Sequence, residues 1–115
     1  MATDEIPSVR VDDVPLDPAV DSAVLLDVRE AEEWNVGHIP WAVHIPMGEL
    51  LERLDEIPRE REIVVVCRSG SRSAAVTAYL AQAGWPVRNL DGGMIDWAAA
   101  GRPMASATAA PPAVL

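Results

Sequence analysis

Lysine and phenylalanine are absent from this chain of 115 residues, and cysteine occurs once, as Cys67. Because all 9 basic residues are arginines, the sequence excludes a Walker-type phosphate loop, a pyridoxal Schiff base and a lysine general base. A single cysteine excludes an intramolecular disulfide, and a four-ligand zinc site would need His38, His44 and carboxylates as well. We therefore expect neither a metal nor another cofactor.

Positive charge is also scarce, since 18 acidic residues against 9 basic ones give a formal net charge of −9. Binding to nucleic acid or to an anionic membrane surface needs clustered positive charge, so neither partner is expected. The amino terminus has no basic and apolar regions of the kind that form an export signal, and no apolar run is long enough to span a bilayer. We expect a monomeric, cytoplasmic protein whose thiol stays reduced.

Strands and helices alternate in the pattern of apolar residues. Apolar runs at 24–28, 42–45, 63–67 and 87–90, with a weaker one at 9–11, predict strands. Helical spacing predicts helices at 30–36, 48–57 and 72–83 and after residue 93; the helix at 48–57 would turn its leucines inward. Residues 1–8 are predicted to be loose, and residues 12–21 to form turns or one weak helical turn. This alternation predicts one α/β domain with a mainly parallel sheet over 1–104, followed by a disordered Ala/Pro-rich tail at 105–115.

The chemistry is concentrated in the segment that starts with Cys67, at the end of the most apolar strand, and continues Arg-Ser-Gly-Ser-Arg-Ser. Ligands of open α/β sheets bind at that edge, where loop amides and the next helix N-terminus attract an anion. Arg68 and Arg72 add positive charge, and Gly70 permits a tight turn. A lone cysteine is often a core residue, but this polar continuation does not suit a core and favours a reactive thiolate.

Several short motifs accompany this loop in a fixed order. They are LDVR at 26–29, EW at 33–34, GHIP at 37–40, the loop itself, DGG at 91–93, Trp97 and AGRP at 100–103. Over about residues 8–104 the sequence resembles the rhodanese-like domain family, particularly its single-domain thiosulfate sulfurtransferases. The resemblance implies a five-stranded, mainly parallel sheet flanked by helices, and a catalytic Cys67 that forms a persulfide.

The resemblance also implies a ping-pong reaction. The Cys67 thiolate would take the outer sulfur of thiosulfate, release sulfite and pass the sulfur to cyanide or to a thiol such as thioredoxin or a low-molecular-weight thiol. Two arginines would attract the dianion, and inward amides would hold the negative charge of the persulfide. The predicted substrate-binding set is Arg68, Ser69, Gly70, Ser71, Arg72 and Ser73.

Other functions are left open at this point. A sulfur carrier or interaction module, loaded by a partner enzyme, would form the same persulfide with little turnover of its own, whereas an inert binding domain would take up no sulfur. A phosphatase is disfavoured, because cysteine phosphatases place five residues between the cysteine and the arginine, and here four separate Cys67 from Arg72.

Three residues outside the loop are candidates for the pocket or for a brace beside it. Asp27 and Arg29 follow a buried strand, which favours an internal ion pair, although Arg29 can also line the pocket mouth. Trp41 stands where many members of the family have glycine, and a tryptophan does not adopt glycine's backbone angles cheaply. We expect Trp41 to form an exposed wall near the pocket or a partner contact.

The remaining aromatic and acidic residues are interpreted as structural. His38 and His44 are expected to be hydrogen-bonded packing residues, and Trp34 and Trp97 to anchor the core. The acidic stretches at 30–33 and 49–62 are expected to be solvated helix faces.

Overall fold

One parallel sheet of five strands forms the centre of the molecule. The structure, a computed structural model, describes residues 6–16 and 23–115. The strands are β1 (Ser8–Arg10), β2 (Val24–Asp27), β3 (Val43–His44), β4 (Ile63–Val66) and β5 (Val87–Asp91). They lie in the order β1-β5-β4-β2-β3, and every pair is parallel. The predicted α/β class and five-stranded sheet are confirmed, while residues 1–5 and 17–21, predicted to be loose or to form turns, lie outside the described part of the chain.

Within the described residues, three α-helices and two 3₁₀ segments flank the sheet. The helices are α1 (Ala31–Val36), α2 (Ser71–Gln82) and α3 (Gly93–Ala99), and the 3₁₀ segments are Val11–Asp13 and Met47–Glu56. None of the helices in residues 6–16 and 23–115 has the length and apolar character that a membrane span requires.

The segment predicted as a helix at 48–57 differs from the expectation. It forms 3₁₀ turns interrupted at Arg53, where φ is −123° and ψ is 22°. Leu50 is buried as predicted, but Leu51 is 67% exposed, so the prediction that Leu51 faces the core is wrong. Leu51 is exposed because a 3₁₀ segment has three residues per turn, so only side chains three positions apart lie on the same face. Leu50 lies on the buried face, and its neighbour Leu51 does not.

Two apolar layers cover the sheet, one on each face. Alternation along β4 divides its residues between them: Ile63, Val65 and the following Cys67 belong to one layer, and Val64 and Val66 to the other. Helix α2 completes the first layer and α3 the second. The thiol therefore lies on the α2 side, at the end of a fully buried strand.

Residues 105–115 lie against the domain, in contrast to the predicted disorder. Main-chain hydrogen bonds join Ala105 to His38, Ala107 to Asn35 and Ala113 to Val36. A Cβ at Gly37 would lie 2.1 Å from the main-chain oxygen of Ala113, so the missing side chain makes this close approach feasible. Composition alone could not reveal that contact. The domain boundary at residue 104 stays a prediction.

Candidate active site

The loop between β4 and α2 turns sharply immediately after Cys67. Gly70, the N-cap of α2, has φ 110° and ψ −8°, a left-handed conformation that glycine adopts without steric cost. Ser71 begins the helix and is exposed, as is Ser69. The turn brings the start of α2 back over the cysteine side chain.

Hydrogen-bond donors surround the sulfur of Cys67. The main-chain N–H of Gly70 donates to Sγ at 3.1 Å, and the Ser73 hydroxyl donates to it at 3.2 Å. Main-chain amides of Ser69 and Ser73 also donate to this sulfur. Although Cys67 is only 1% exposed and packs within an apolar layer, its sulfur is therefore not in purely aliphatic surroundings.

The donors determine the charge state of the thiol. Burial alone raises the pKa of Cys67, but the Ser73 hydroxyl and the amides of Ser73, Gly70 and Ser69 outweigh burial and hold this pKa below its ordinary value. A thiolate is the form that attacks sulfur and other electrophiles. The loop therefore supports a nucleophile.

Helix α3 fixes the loop from the opposite side. The amide of Met94 donates to the main-chain oxygen of Cys67 at 2.9 Å, and that of Ile95 donates to the oxygen of Arg68 at 3.0 Å. A Cβ at Gly93 would lie 2.4 Å from the Cys67 oxygen, so this approach requires glycine. In a trans peptide the C=O and N–H groups point in opposite directions. Since α3 binds these two carbonyls, the N–H groups of the same peptides point away from α3.

Asn89 is a second support that the sequence did not identify. Asn89 lies in β5, which pairs with β4, and its Nδ2 donates to the main-chain oxygen of Gly70 at 3.2 Å. Because β5 also contains Arg88 and Asp91, no local pattern distinguished Asn89 from its neighbours. The Oδ1 atom of Asn89 is buried without a hydrogen-bond partner among the described residues.

The two loop arginines bind partners outside the loop. Both terminal nitrogens of Arg72 donate to the carboxylate oxygens of Glu33 at 2.8 Å, and Nε of Arg68 donates to the main-chain oxygen of Leu115 at 2.8 Å. Glu33 is only 14% exposed, so the prediction that it belongs to a solvated face is wrong. The hydrogen bonds from Arg72 lower the pKa of Glu33 to about 2, because they stabilise its charged form.

Asp27 and Arg29 form an ion pair with both side chains fully buried. One terminal nitrogen of Arg29 donates to Asp27 at 2.8 Å and to the main-chain oxygen of Gly37 at 2.7 Å. The pair therefore connects the end of β2 to the end of α1. This geometry supports the brace interpretation and does not leave Arg29 at a pocket mouth.

Trp41 is half-buried and packs edge-to-face against Trp97, with ring centroids 6.1 Å apart. It belongs to the apolar layer on the α3 side, which contradicts an exposed wall. All positive-φ residues in the described part of the chain are glycines, so the turn at Trp41 does not need a left-handed residue. Trp97 is fully buried, as a core anchor would be.

Trp34 stacks with two histidine rings. The ring centroids of His38 and His44 are 3.7 Å and 4.7 Å from that of Trp34, and both pairs are stacked. Each histidine also has a hydrogen bond to a main-chain oxygen, from His38 Nδ1 to Trp34 and from His44 Nε2 to Arg29. Within residues 6–16 and 23–115, no group of three or more His, Cys, Asp or Glu side chains could hold a metal ion.

Comparisons with known proteins agree with this geometry. A family model described as "Rhodanese-like domain" matches residues 15–100. A sulfurtransferase from Allochromatium vinosum is 44% identical over 85 residues, covering 73% of this chain and 79% of that protein. The thiosulfate sulfurtransferase GlpE from Pseudomonas savastanoi is 36% identical over 78 residues, covering 67% and 74%. The crystal structure of a rhodanese-related protein from Thermoplasma volcanium has a TM-score of 0.78 at 32% identity, covering 86% of this chain and 97% of that one.

Proposed function

Because the chain belongs to the rhodanese-like domain family and resembles sulfurtransferases, we propose that it is a thiosulfate sulfurtransferase acting through a persulfide on Cys67. The observation that supports the proposal is the group of donors on Sγ: the hydroxyl of Ser73 at 3.2 Å and the amide of Gly70 at 3.1 Å, with two further loop amides. These groups stabilise a negative sulfur, which both the thiolate and the persulfide require.

In the first half-reaction, the Cys67 thiolate attacks the outer sulfur of thiosulfate. A new S–S bond forms to Cys67 as the S–S bond of thiosulfate breaks, and the bonding electrons leave with sulfite. No proton is transferred: three negative charges enter the step, two on thiosulfate and one on the thiolate, and three leave on sulfite and the persulfide. The negative charge passes from Sγ of Cys67 to the outer sulfur of the persulfide, one S–S bond away, where loop N–H groups would stabilise it.

In the second half-reaction, a nucleophile attacks the outer persulfide sulfur. Cyanide gives thiocyanate, and a thiolate gives a new persulfide; both regenerate the Cys67 thiolate. We propose that the natural acceptor is a thiol, of thioredoxin or of a low-molecular-weight compound, in the cytoplasm. The two half-reactions share one site, so the kinetics should be ping-pong.

A sulfur carrier loaded by a partner enzyme is a second candidate. The observation that favours it is that both loop guanidiniums have partners outside the loop, Glu33 for Arg72 and the Leu115 oxygen for Arg68. Fewer free positive charges would weaken a site for a dianion. A carrier of this kind would keep the persulfide but use thiosulfate poorly.

Steady-state turnover with thiosulfate and cyanide distinguishes the two candidates. We expect wild-type protein to produce many equivalents of thiocyanate, with parallel double-reciprocal plots, and Cys67→Ser to produce none. A stoichiometric burst without turnover would favour the carrier. Activity retained by Cys67→Ser would contradict both functions.

A further inference from the structure

The ion pair between Glu33 and Arg72 connects α1 to the first turn of α2, across 39 positions of the sequence. Its two parallel bonds, both 2.8 Å long, have the fork geometry that makes arginine–carboxylate pairs strong. The carboxylate is 14% exposed and the guanidinium 35%, so water competes weakly for the carboxylate. The carboxylate of Glu33 therefore balances most of the positive charge that Arg72 brings to the loop.

Several contacts hold the carboxylate of Glu33 in place. Its Oε1 also accepts the main-chain N–H of Glu30 at 3.0 Å, which forms a capping box at the start of α1. The other end of α1 is tied to the buried Arg29, which donates to the main-chain oxygen of Gly37 at 2.7 Å. Glu33 is thus positioned by a rigid support and not by Arg72 alone.

Arg72 lies within electrostatic range of the reactive sulfur. The pKa of Arg72 is raised, mainly by its hydrogen bonds to Glu33 and in smaller part by the negative charge of Cys67. A thiosulfate ion carries two negative charges toward the thiolate. An unpaired guanidinium would attract this dianion strongly, whereas a paired one attracts it weakly.

We propose that Glu33 is a specificity-determining residue: by balancing the charge of Arg72, it weakens the binding of dianionic sulfur donors and favours donors that carry less negative charge. The inference rests on the proposed sulfur transfer and adds a preference for one class of donor. Glu33 acts through Arg72 and contacts no reacting atom, so it is a positioning residue for the arginine.

Glu33→Gln tests this role because glutamine keeps an oxygen that can accept the N–H of Glu30 while it removes the charge. We expect the KM for thiosulfate to fall about three- to tenfold, the range of a partly screened ion pair, with kcat changed by less than about twofold. Methanethiosulfonate has a similar shape and one negative charge; its outer sulfur passes to Cys67 as methanesulfinate leaves. Because the Coulomb energy is proportional to the charge of the ligand, the KM for methanethiosulfonate should fall only by about the square root of the factor for thiosulfate, about 1.7- to threefold.

Two further variants isolate the effect. Glu32→Gln makes the same charge change one residue away on an exposed side chain, and it should leave both KM values within about twofold. Arg72→Ala removes the guanidinium that attracts the dianion, so it should raise the KM for thiosulfate by a larger factor than the KM for methanethiosulfonate.

The proposal is overturned if Glu33→Gln raises the KM for thiosulfate, if Glu32→Gln lowers it equally, or if both donors respond alike. If wild-type protein takes sulfur from neither donor, the proposed function fails, and the charge balance is then tested by titrating the Cys67 thiolate. Glu33→Gln should lower that pKa by about half a unit or more relative to Glu32→Gln. Equal values in the two variants would overturn the inference.

Discussion

Replacing Ser73 with alanine removes one identifiable donor from the Cys67 sulfur. The hydroxyl donates to Sγ at 3.2 Å and is fully buried, so water cannot readily replace it. A hydrogen bond to a charged group is worth about 1.5–3 kcal/mol, and about 1.4 kcal/mol corresponds to one pKa unit. Three main-chain amides remain on the sulfur, so we expect the lower end of this range and a rise in the Cys67 pKa of about one unit.

Ultraviolet absorbance of the thiolate, followed against pH, measures this change directly because Cys67 is the only cysteine. A Cys67→Ser blank subtracts the absorbance of Tyr79, the only tyrosine. Ser71→Ala is the matched control, since Ser71 is exposed at the start of α2. A Ser73→Ala pKa within about 0.3 units of the wild-type value would refute the assignment of the hydroxyl as a main stabiliser of the thiolate.

The same bond has a signature in stability. The folded-state pKa of Cys67 is lowered, so the thiolate stabilises the fold above the pKa of the unfolded thiol, and this contribution is lost as the pH falls through the folded-state value. Ser73→Ala should therefore lose more stability relative to wild type at about pH 9.5 than at about pH 5. An equal loss at both pH values would mean that the hydroxyl does not act on the charged sulfur.

Three further predictions concern the supports of the loop. At Gly93 φ is +53° and a Cβ would lie 2.4 Å from a loop carbonyl, so Gly93→Ala should lower the free energy of unfolding, measured in urea titrations, by about 2 kcal/mol or more. Gly48→Ala is the control: a Cβ there has nothing within 4 Å, so the free energy of unfolding should change by less than about 0.5 kcal/mol. Similar values for the two variants would contradict the close approach. Asp27→Asn leaves the charge of Arg29 buried and unpaired and should cost about 3–5 kcal/mol by the same measurement; a cost below about 1 kcal/mol would argue against a brace. The ion pair with Arg72 lowers the pKa of Glu33 to about 2, so the pair stabilises the fold above about pH 4.5 and this contribution is lost as the pH falls toward 2. The free energy of unfolding, measured at several pH values, should therefore fall less steeply toward acid in Glu33→Gln than in wild type. Parallel plots of this free energy against pH would contradict a stabilising pair.

Patterns within a short stretch predicted most of the fold and the position of Cys67 at the end of a buried strand. The run at 63–67 is apolar at every position, which is typical of a strand covered on both faces, and the polar residues after Cys67 cannot continue it. The motif at 67–73 then fixes the place of the loop at the sheet edge. Periodicity was less reliable at 47–56, where 3₁₀ turns replace the expected helix and expose Leu51.

Contacts between distant segments could not be predicted from the sequence. The partner of Arg72 is 39 positions away, and Glu33 has the same local acidic surroundings as the exposed Glu32. The support from Asn89 to Gly70 and the close approach of Gly93 to the loop also depend on how β5 and α3 pack. Such pairings are fixed by tertiary structure, which no local pattern contains.

Transfer of sulfur to Cys67 is tested most directly by intact-protein mass spectrometry after exposure to thiosulfate. We predict that wild-type protein gains the mass of one sulfur atom, that cyanide removes it, and that Cys67→Ser gains none. An unchanged wild-type mass, or an equal gain in Cys67→Ser, would contradict a persulfide formed at Cys67 from thiosulfate.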